Sequence, residues 1–303
     1  MTLAEKLAAA RDGAAVGPVL RRGLLRLEGK DRLEYLQRMC TQNLAGLVPG
    51  KAAYGAFLTA KGHLVGVGMV LVRDDEVLVD LDPAAVAGTR AHLEKFVIMD
   101  DVTVQDCSEE LRVVPVLGPE GARRARERSA AAPSAENPRR GAPALDVVLA
   151  AADAEDFRAA LVAGGAVELG EADLEALRVE AGHARFGADM DAERLPMEAG
   201  LTRAAVSFGK GCYIGQEVVL RATVRGHLQK GLVQLSLPPG ALPGARLLAG
   251  GQDVGWVTSA AETTQGRLGL GYLRRSHWKE GERLATEGGE AVVRQVIVHE
   301  GTC

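Results

Sequence analysis

Residues 209–226 read Gly-Lys-Gly-Cys-Tyr-Ile-Gly-Gln-Glu-Val-Val-Leu-Arg-Ala-Thr-Val-Arg-Gly. Glycines at 209, 211 and 215 bracket Lys210, Cys212 and Tyr213. Glycine opens backbone conformations closed to other residues. The segment after Gly215 spaces like a helix. Ile214, Val218 and Val219 share one face, and Glu217, Arg221 and Arg225 follow at four-residue steps on another. Cys212 then precedes a helix N-terminus, where unpaired amides and the helix dipole favour a thiolate. Lys210 and Arg221 push the same way. Two readings of Cys212 stand side by side: a reactive or metal-liganding thiol, and a small buried hydrophobe.

The whole chain has 303 residues, enough for two or three domains and an ample core. Charged residues make up 25% and hydrophobic residues 47%, as in soluble globular proteins. A net charge of −4 argues against a strongly basic nucleic-acid surface. The four cysteines, at 40, 107, 212 and 303, form no C-x-x-C. Neither a zinc ribbon nor a disulfide framework is encoded, and a reducing compartment is expected. No stretch reads as a secretory signal or a membrane span, so a cytoplasmic location is expected.

Along the chain, helices are predicted over 4–11, 31–42, 84–96, 154–164 and 172–182, and strands over 24–27, 52–59, 64–72, 77–81, 102–106, 112–117 and 145–150. Ala60-Lys61-Gly62-His63 reads as a hairpin turn. Hairpins with packed helices indicate an α+β class. The order strand, helix, strand recurs, which suggests two related halves. Residues 119–143 hold four prolines and the run Arg-Arg-Ala-Arg-Glu-Arg, expected as a solvated helix face and a loop. The segment 182–201 is irregular and glycine-rich, the texture of a functional loop. Beyond Lys230, short strands over 231–237, 246–248, 254–260, 269–273 and 290–298 have the spacing of a small barrel. The expected division is 1–230 and 231–303.

Lys210-Gly211-Cys212-Tyr213-Ile214-Gly215-Gln216-Glu217 resembles the K-G-C-Y-x-G-Q-E motif of YgfZ-type proteins, folate-binding relatives of the glycine-cleavage T-protein, an aminomethyltransferase. Weaker matches follow in order. Asp31–Gln37 with Thr41 resembles an early family helix, Leu177–Gly182 the segment L-R-x-E-x-G, Pro196–Leu201 the segment P-x-E-x-G-L, and Gly255–Ser259 the barrel strand G-x-V-T-S. The resemblance covers nearly the whole chain and is weakest over 119–165. It implies two ferredoxin-like α+β lobes around a central hole that takes tetrahydrofolate, capped by a C-terminal β-barrel. Arg178 matches a family arginine near the folate, and Glu180 and Glu198 fall in the matched segments as cofactor-binding candidates. A guanidinium suits a polar pterin and a carboxylate-rich tail. A helix-surface ion pair of Arg178 with Glu175 or Glu171 is the other reading.

The T-protein relatives carry an aspartate beside the reactive folate nitrogen, in a G-G-x-x-D-D-type stretch. Gly62–Val67 occupies that place here, with Gly66 and Val67 where the carboxylates stand. Glycine and valine move no protons. The T-protein's G-Y-T-G-E-D-G segment is not recognisable either. The resemblance therefore implies a folate-binding protein without transferase chemistry, associated with assembly or repair of iron–sulfur clusters in client enzymes, among them radical enzymes that modify tRNA. Cys212 is its redox-active or transient-ligand residue, and Lys210, Gly211, Tyr213, Gly215, Gln216, Glu217 and Arg221 complete its motif. One cysteine holds no stable cluster, so no resident metal is expected. The alternative is a tetrahydrofolate-dependent aminomethyl- or methyltransferase that uses Glu180 or Glu198, and a third reading is a folate store. His63 reads as a turn residue. His183 and His227 have no partner at metal spacing. Trp256 and Trp278 are expected to pack the barrel, Cys40 to lie in the core, and Cys303 to be incidental. No direct contact with nucleic acid or membrane is expected.

Overall fold

A computed structural model describes residues 1–129, 132–224 and 228–298. Arg225, His227 and Cys303 lie outside the described residues. The chain begins with α1 (Leu3–Asp12), whose start Thr2 and Glu5 close as a reciprocal cap. Then come β1 (Ala15–Val16), β2 (Gly23–Glu28) and α2 (Arg32–Met39). The hairpin β3 (Ala52–Leu58) and β4 (Leu64–Val72) leads into β5 (Glu76–Leu81), α3 (Val86–Phe96) and β6 (Thr103–Asp106). Next are β7 (Leu111–Leu117), α4 (Pro119–Arg128), β8 (Ser134–Glu136), β9 (Ala144–Ala150), α5 (Ala154–Ala163), β10 (Val167–Glu168) and α6 (Glu171–Glu180). After the irregular loop come α7 (Thr202–Ala205) and α8 (Gln216–Val224). The remaining strands are β11 (Lys230–Ser236), β12 (Arg246–Ala249), β13 (Gln252–Thr263), β14 (Gly266–Arg274), β15 (Arg283–Thr286) and β16 (Gly289–Val296).

The strands form two five-stranded sheets, ordered β3-β4-β5-β2-β6 and β10-β1-β7-β9-β8, and a closed barrel, β11-β14-β13-β12-β15-β16. The α+β class with a C-terminal barrel is the observed architecture. Closure removes the sheet edges that would otherwise template aggregation. The N-terminus departs from the predicted order. β1 pairs antiparallel with β7 and parallel with β10, so residues 15–16 build the second lobe although they precede the first.

The lobes meet sheet face to sheet face. Successive residues of a strand point to opposite sides. Val67, Met69 and Leu71 thus share one face of β4, and Met69 and Leu71 meet Val113 and Val148 of the other sheet around a small void. Gly66 looks the other way, onto α3. A Cβ there would lie 2.2 Å from the Thr89 hydroxyl. Each large apolar side chain fully buried here contributes about 1.5–3 kcal/mol. α2 ends at Met39, earlier than predicted, and Cys40 is extended and bridges Phe57. β1, β8, β10 and β15, each of four residues or fewer, fall outside the predicted strands.

Candidate functional site

A cavity of about 740 Å³ opens between the lobes, bounded by the chain before β2, the residues after β5, the turn 137–140, α6 and the loop 184–188. Arginines and acids dominate its walls. Arg22 reaches across to β5: its Nε donates to Asp80 at 2.7 Å and its Nη1 to Asp82. Arg139, from the second lobe, stacks over the Tyr54 ring at 4.8 Å and meets the same two acids at 3.6 and 3.9 Å. Arg140 binds Asp146 through two donors, Nε at 3.0 Å and Nη2 at 2.8 Å. Burial pushes the Asp82 and Asp146 carboxyls up, but the facing arginines outweigh it and hold both below the usual range. The wall is a charged seam joining the lobes.

Arg178 lines this cavity from α6 with its donors engaged. Nε and Nη2 donate to Glu175 at 2.9 and 2.6 Å, Nη1 to Asp189 at 2.6 Å and to the His183 carbonyl, and Nη2 also to Ser259 at 2.7 Å. A guanidinium has five N–H donors, and all five have partners. Arg178 pairs with Glu175, as the ion-pair reading had it, but from a buried position facing the cavity and not from the helix surface. Its work is to tie α6 to the 183–189 loop and the barrel. Asp189 is the centre of that junction, with a fully buried side chain. It also accepts from Thr258, from Ser259 and from the backbone N–H of Arg185.

Glu180 and Glu198, the other cofactor-binding candidates, sit elsewhere. Glu180 is held by Arg11 and by the Thr264 backbone and hydroxyl, and so joins α1, α6 and the barrel. Glu198 accepts from the Leu195 N–H at 3.3 Å. Neither lines the cavity. At the position of the expected transferase acid, Val67 is fully buried and Gly66 is closed off by Thr89. A carboxylate at either place would be desolvated or sterically excluded.

The Cys212 loop lies outside this cavity. Lys210 anchors it. Its ammonium donates to the carbonyls of Gln37, Cys40 and Gln42 at 2.6, 2.6 and 2.8 Å, all at the C-terminal end of α2. Helix C-termini leave carbonyls without partners, and a cation satisfies them. Burial pushes the Lys210 pKa down to about 8 against the pull of the Cys40 thiol. The ammonium also sits 5.3 Å from the Tyr213 ring, whose phenol burial pushes up to about 12. Lys210 is therefore a clamp on α2. Arg221, expected to help, pairs with Glu217 one turn earlier on an exposed helix face.

The three glycines differ. Gly215 has φ +83°, and a Cβ on it would lie 2.7 Å from the Thr59 carbonyl and 3.3 Å from Gly62 Cα. Gly62, in the β3–β4 turn, is likewise pressed against Val218 of α8. These two glycines lock the motif onto the hairpin. Gly209 and Gly211 have open space where a side chain would go, and neither has positive φ. Gln216 opens α8. Cys212 itself is exposed, while Cys40 and Cys107 are buried, with burial pushing both thiols up to about 11. Of the two readings of Cys212, the buried hydrophobe is excluded. Among the described residues no cluster of His, Cys, Asp and Glu could hold a metal ion, and no helix is long and apolar enough to cross a membrane.

Sequence reasoning did not single out Arg22, Asp82, Arg139, Arg185 and Asp189. The partners of Arg22 and Arg139 lie far off in the chain, as with Arg22 and Asp80 at a separation of 58 residues, while Arg185 and Asp189 meet Glu175 and Arg178 across the turn after α6. His63 lies in its turn and does not line the cavity, and Trp256 stacks on Tyr272 in the barrel.

Residues 2–135 match the family model described as the GCVT N-terminal domain. Over 95% of its length the chain is 29% identical to an aminomethyltransferase of Rubrobacter xylanophilus, covering 81% of that protein. It is 26% identical to an aminomethyltransferase of Thermus thermophilus over 96% of its length, covering 88% of that relative. The crystal structure of the glycine cleavage system aminomethyltransferase T from Bartonella henselae superposes with a TM-score of 0.83 at 19% identity, covering 99% of this chain and 90% of that one. The chain is similar to aminomethyltransferases along nearly its whole length and shares the fold of that crystal structure.

Proposed function

We propose that this protein binds tetrahydrofolate in the central cavity without transferring aminomethyl groups, and that Cys212 serves the assembly or repair of iron–sulfur clusters in client enzymes. The observation that carries the reading is a separation. Gly66 and buried Val67 stand where the transferase acid is expected and neither lines the cavity, while an exposed thiol stands outside it on a clamped loop.

The cavity suits the cofactor. Its volume lies in the range that encloses a whole small molecule. Arg21 lines it, exposed and without an ion pair among the described residues, so its donors are open to a carboxylate tail. When bound, tetrahydrofolate supplies ring amines that accept one-carbon units. The protein's part is to orient it against the Arg22, Arg139 and Arg178 wall. The transferase alternative has the relatives' activity in its favour. It has to find an acid other than Glu180 or Glu198, since both lie off the cavity wall.

Two assays on the purified protein test the reading: tetrahydrofolate binding by calorimetry, and turnover of an aminomethyl donor. Binding without turnover is the expected result. Sustained tetrahydrofolate-dependent turnover sinks it.

A further inference from the structure

Strand pairing sets a row of cations across the outside of the barrel. Lys230 at the start of β11 faces Arg274 at the end of β14, Tyr272 of β14 faces Trp256 of β13, and Trp256 faces Arg246 of β12. Alternation along a strand turns Lys230, Arg274, Trp256 and Arg246 outward, while the adjacent Leu247, Val257 and Leu273 fill the interior. Arg194 arrives from the loop before α7 and lies over both rings, 5.3 Å from the Trp256 centroid and 5.0 Å from that of Tyr272. The Lys230 ammonium is 6.0 Å from the Trp256 ring. None of these four cations lines the central cavity.

The row has little negative charge beside it. Arg246 pairs with Asp253 at 3.0 Å, with its side chain 74% exposed. Arg194 comes no nearer than 4.0 Å to Asp191, beyond hydrogen-bond length. Lys230 and Arg274 form no ion pair among the described residues, and Arg274 is exposed. The chain as a whole carries −4, so this excess of cations is local. Spread over adjacent strands at about 4.8 Å per step, the row covers about 14 Å. A single phosphate or carboxylate is too small to meet all of it. An extended polypeptide with an acid at every second residue repeats at about 6.6 Å, so three acids match the span. The rings on this face are stacked on each other and capped by Arg194, so they do not offer the base-stacking platform that single-stranded nucleic acid uses.

We propose that this face of the barrel docks an extended acidic segment of a partner protein across β11, β14, β13 and β12, with Lys230 and Arg274 as its main contacts. Contacts with ring faces hold a guanidinium in place without using its N–H donors. Arg194 therefore keeps its donors for carboxylates, with which arginine forms charge-assisted, bidentate bonds. The inference stands apart from the folate and cluster readings, since it needs neither the cavity nor Cys212.

Fluorescence anisotropy with the full chain at low salt tests it. The probe is a labelled peptide alternating threonine with three glutamates, and the control is its glutamine counterpart. The glutamate peptide is expected to bind saturably, at least about tenfold tighter than the control, and more weakly as salt rises. Lys230→Gln combined with Arg274→Gln weakens it by about tenfold. Lys230→Arg combined with Arg274→Lys, which keeps the charges, retains it. Arg283→Gln, on β15, leaves it unchanged. Circular dichroism spectra that match the unsubstituted protein separate lost docking from lost fold. Equal binding of the two peptides, or binding of neither, overturns the inference. So does a glutamate affinity that the double glutamine variant leaves unaltered. Tighter binding of an oligouridylate of equal charge also overturns it, by making the face a nucleic-acid surface.

Discussion

The Lys210 ammonium lies 2.6 Å from the carbonyl of Cys40, across a sequence separation of 170 residues. That contact and its two companions fix the Cys212 loop to the end of α2. Lys210→Met keeps the length of the stem and removes all three bonds. Leaving those buried carbonyls unpaired is expected to cost about 1–3 kcal/mol. The denaturant midpoint should fall, and alkylation of Cys212 should change rate, because the loop carrying it is released. Unchanged values for both would show that the loop holds its shape without the clamp.

The motif glycines separate experimentally. Gly215→Ala puts a side chain at φ +83° against the Thr59 carbonyl and is expected to destabilise by about 1–3 kcal/mol. Gly211→Ala meets open space and should stay within about 0.5 kcal/mol. Thermal unfolding of the two variants side by side checks the difference.

Arg178 and Asp189 form a buried pair at 2.6 Å, and the aspartate side chain is wholly shielded. Arg178→Ala leaves that charge without its cation. The expected loss is about 3–5 kcal/mol, measured by urea unfolding. A loss below about 1 kcal/mol would mean that Thr258 and Ser259 suffice for Asp189.

Restoring the acid does not restore a transferase. Val67→Asp places a carboxylate on the buried inter-lobe face beside Met69. Destabilisation of about 3 kcal/mol or more is expected, without aminomethyl transfer. A stable, active variant would contradict this placement.

Stability should fall on acidification in two windows. Burial, reinforced by Arg139 and Arg178, holds His183 below its ordinary value, and burial with Lys95 does the same for His92. Near pH 6.5 the unfolded chain therefore binds more protons than the native one, and stability drops as pH falls below that value. Asp82, Asp146 and Glu175 are held below the usual carboxylate range, so their contribution is lost at still lower pH. His183→Gln should flatten the first drop only, in urea midpoints taken from pH 7.5 to 4.

Residues 210–217 were legible in the chain because the motif is contiguous, and the barrel because its short strands alternate with glycine turns. The function of Lys210 was not, since its partners are backbone carbonyls on a helix end 170 residues away. Asp189 looked like one polar residue in a glycine-rich loop, and only folding brings Arg178, Thr258 and Ser259 around it. β1 is too short to carry an alternation, so its place in the second lobe appears only with its partners β7 and β10.

The central claim is that chemistry resides at Cys212 and not in the cavity. Its most direct measurement is the activity of an iron–sulfur tRNA-modifying enzyme in cells whose own copy of this protein is replaced by Cys212→Ala, with tetrahydrofolate binding of the purified variant measured in parallel. Loss of client activity with folate affinity unchanged is the expected result. Full client activity with Cys212→Ala would contradict it.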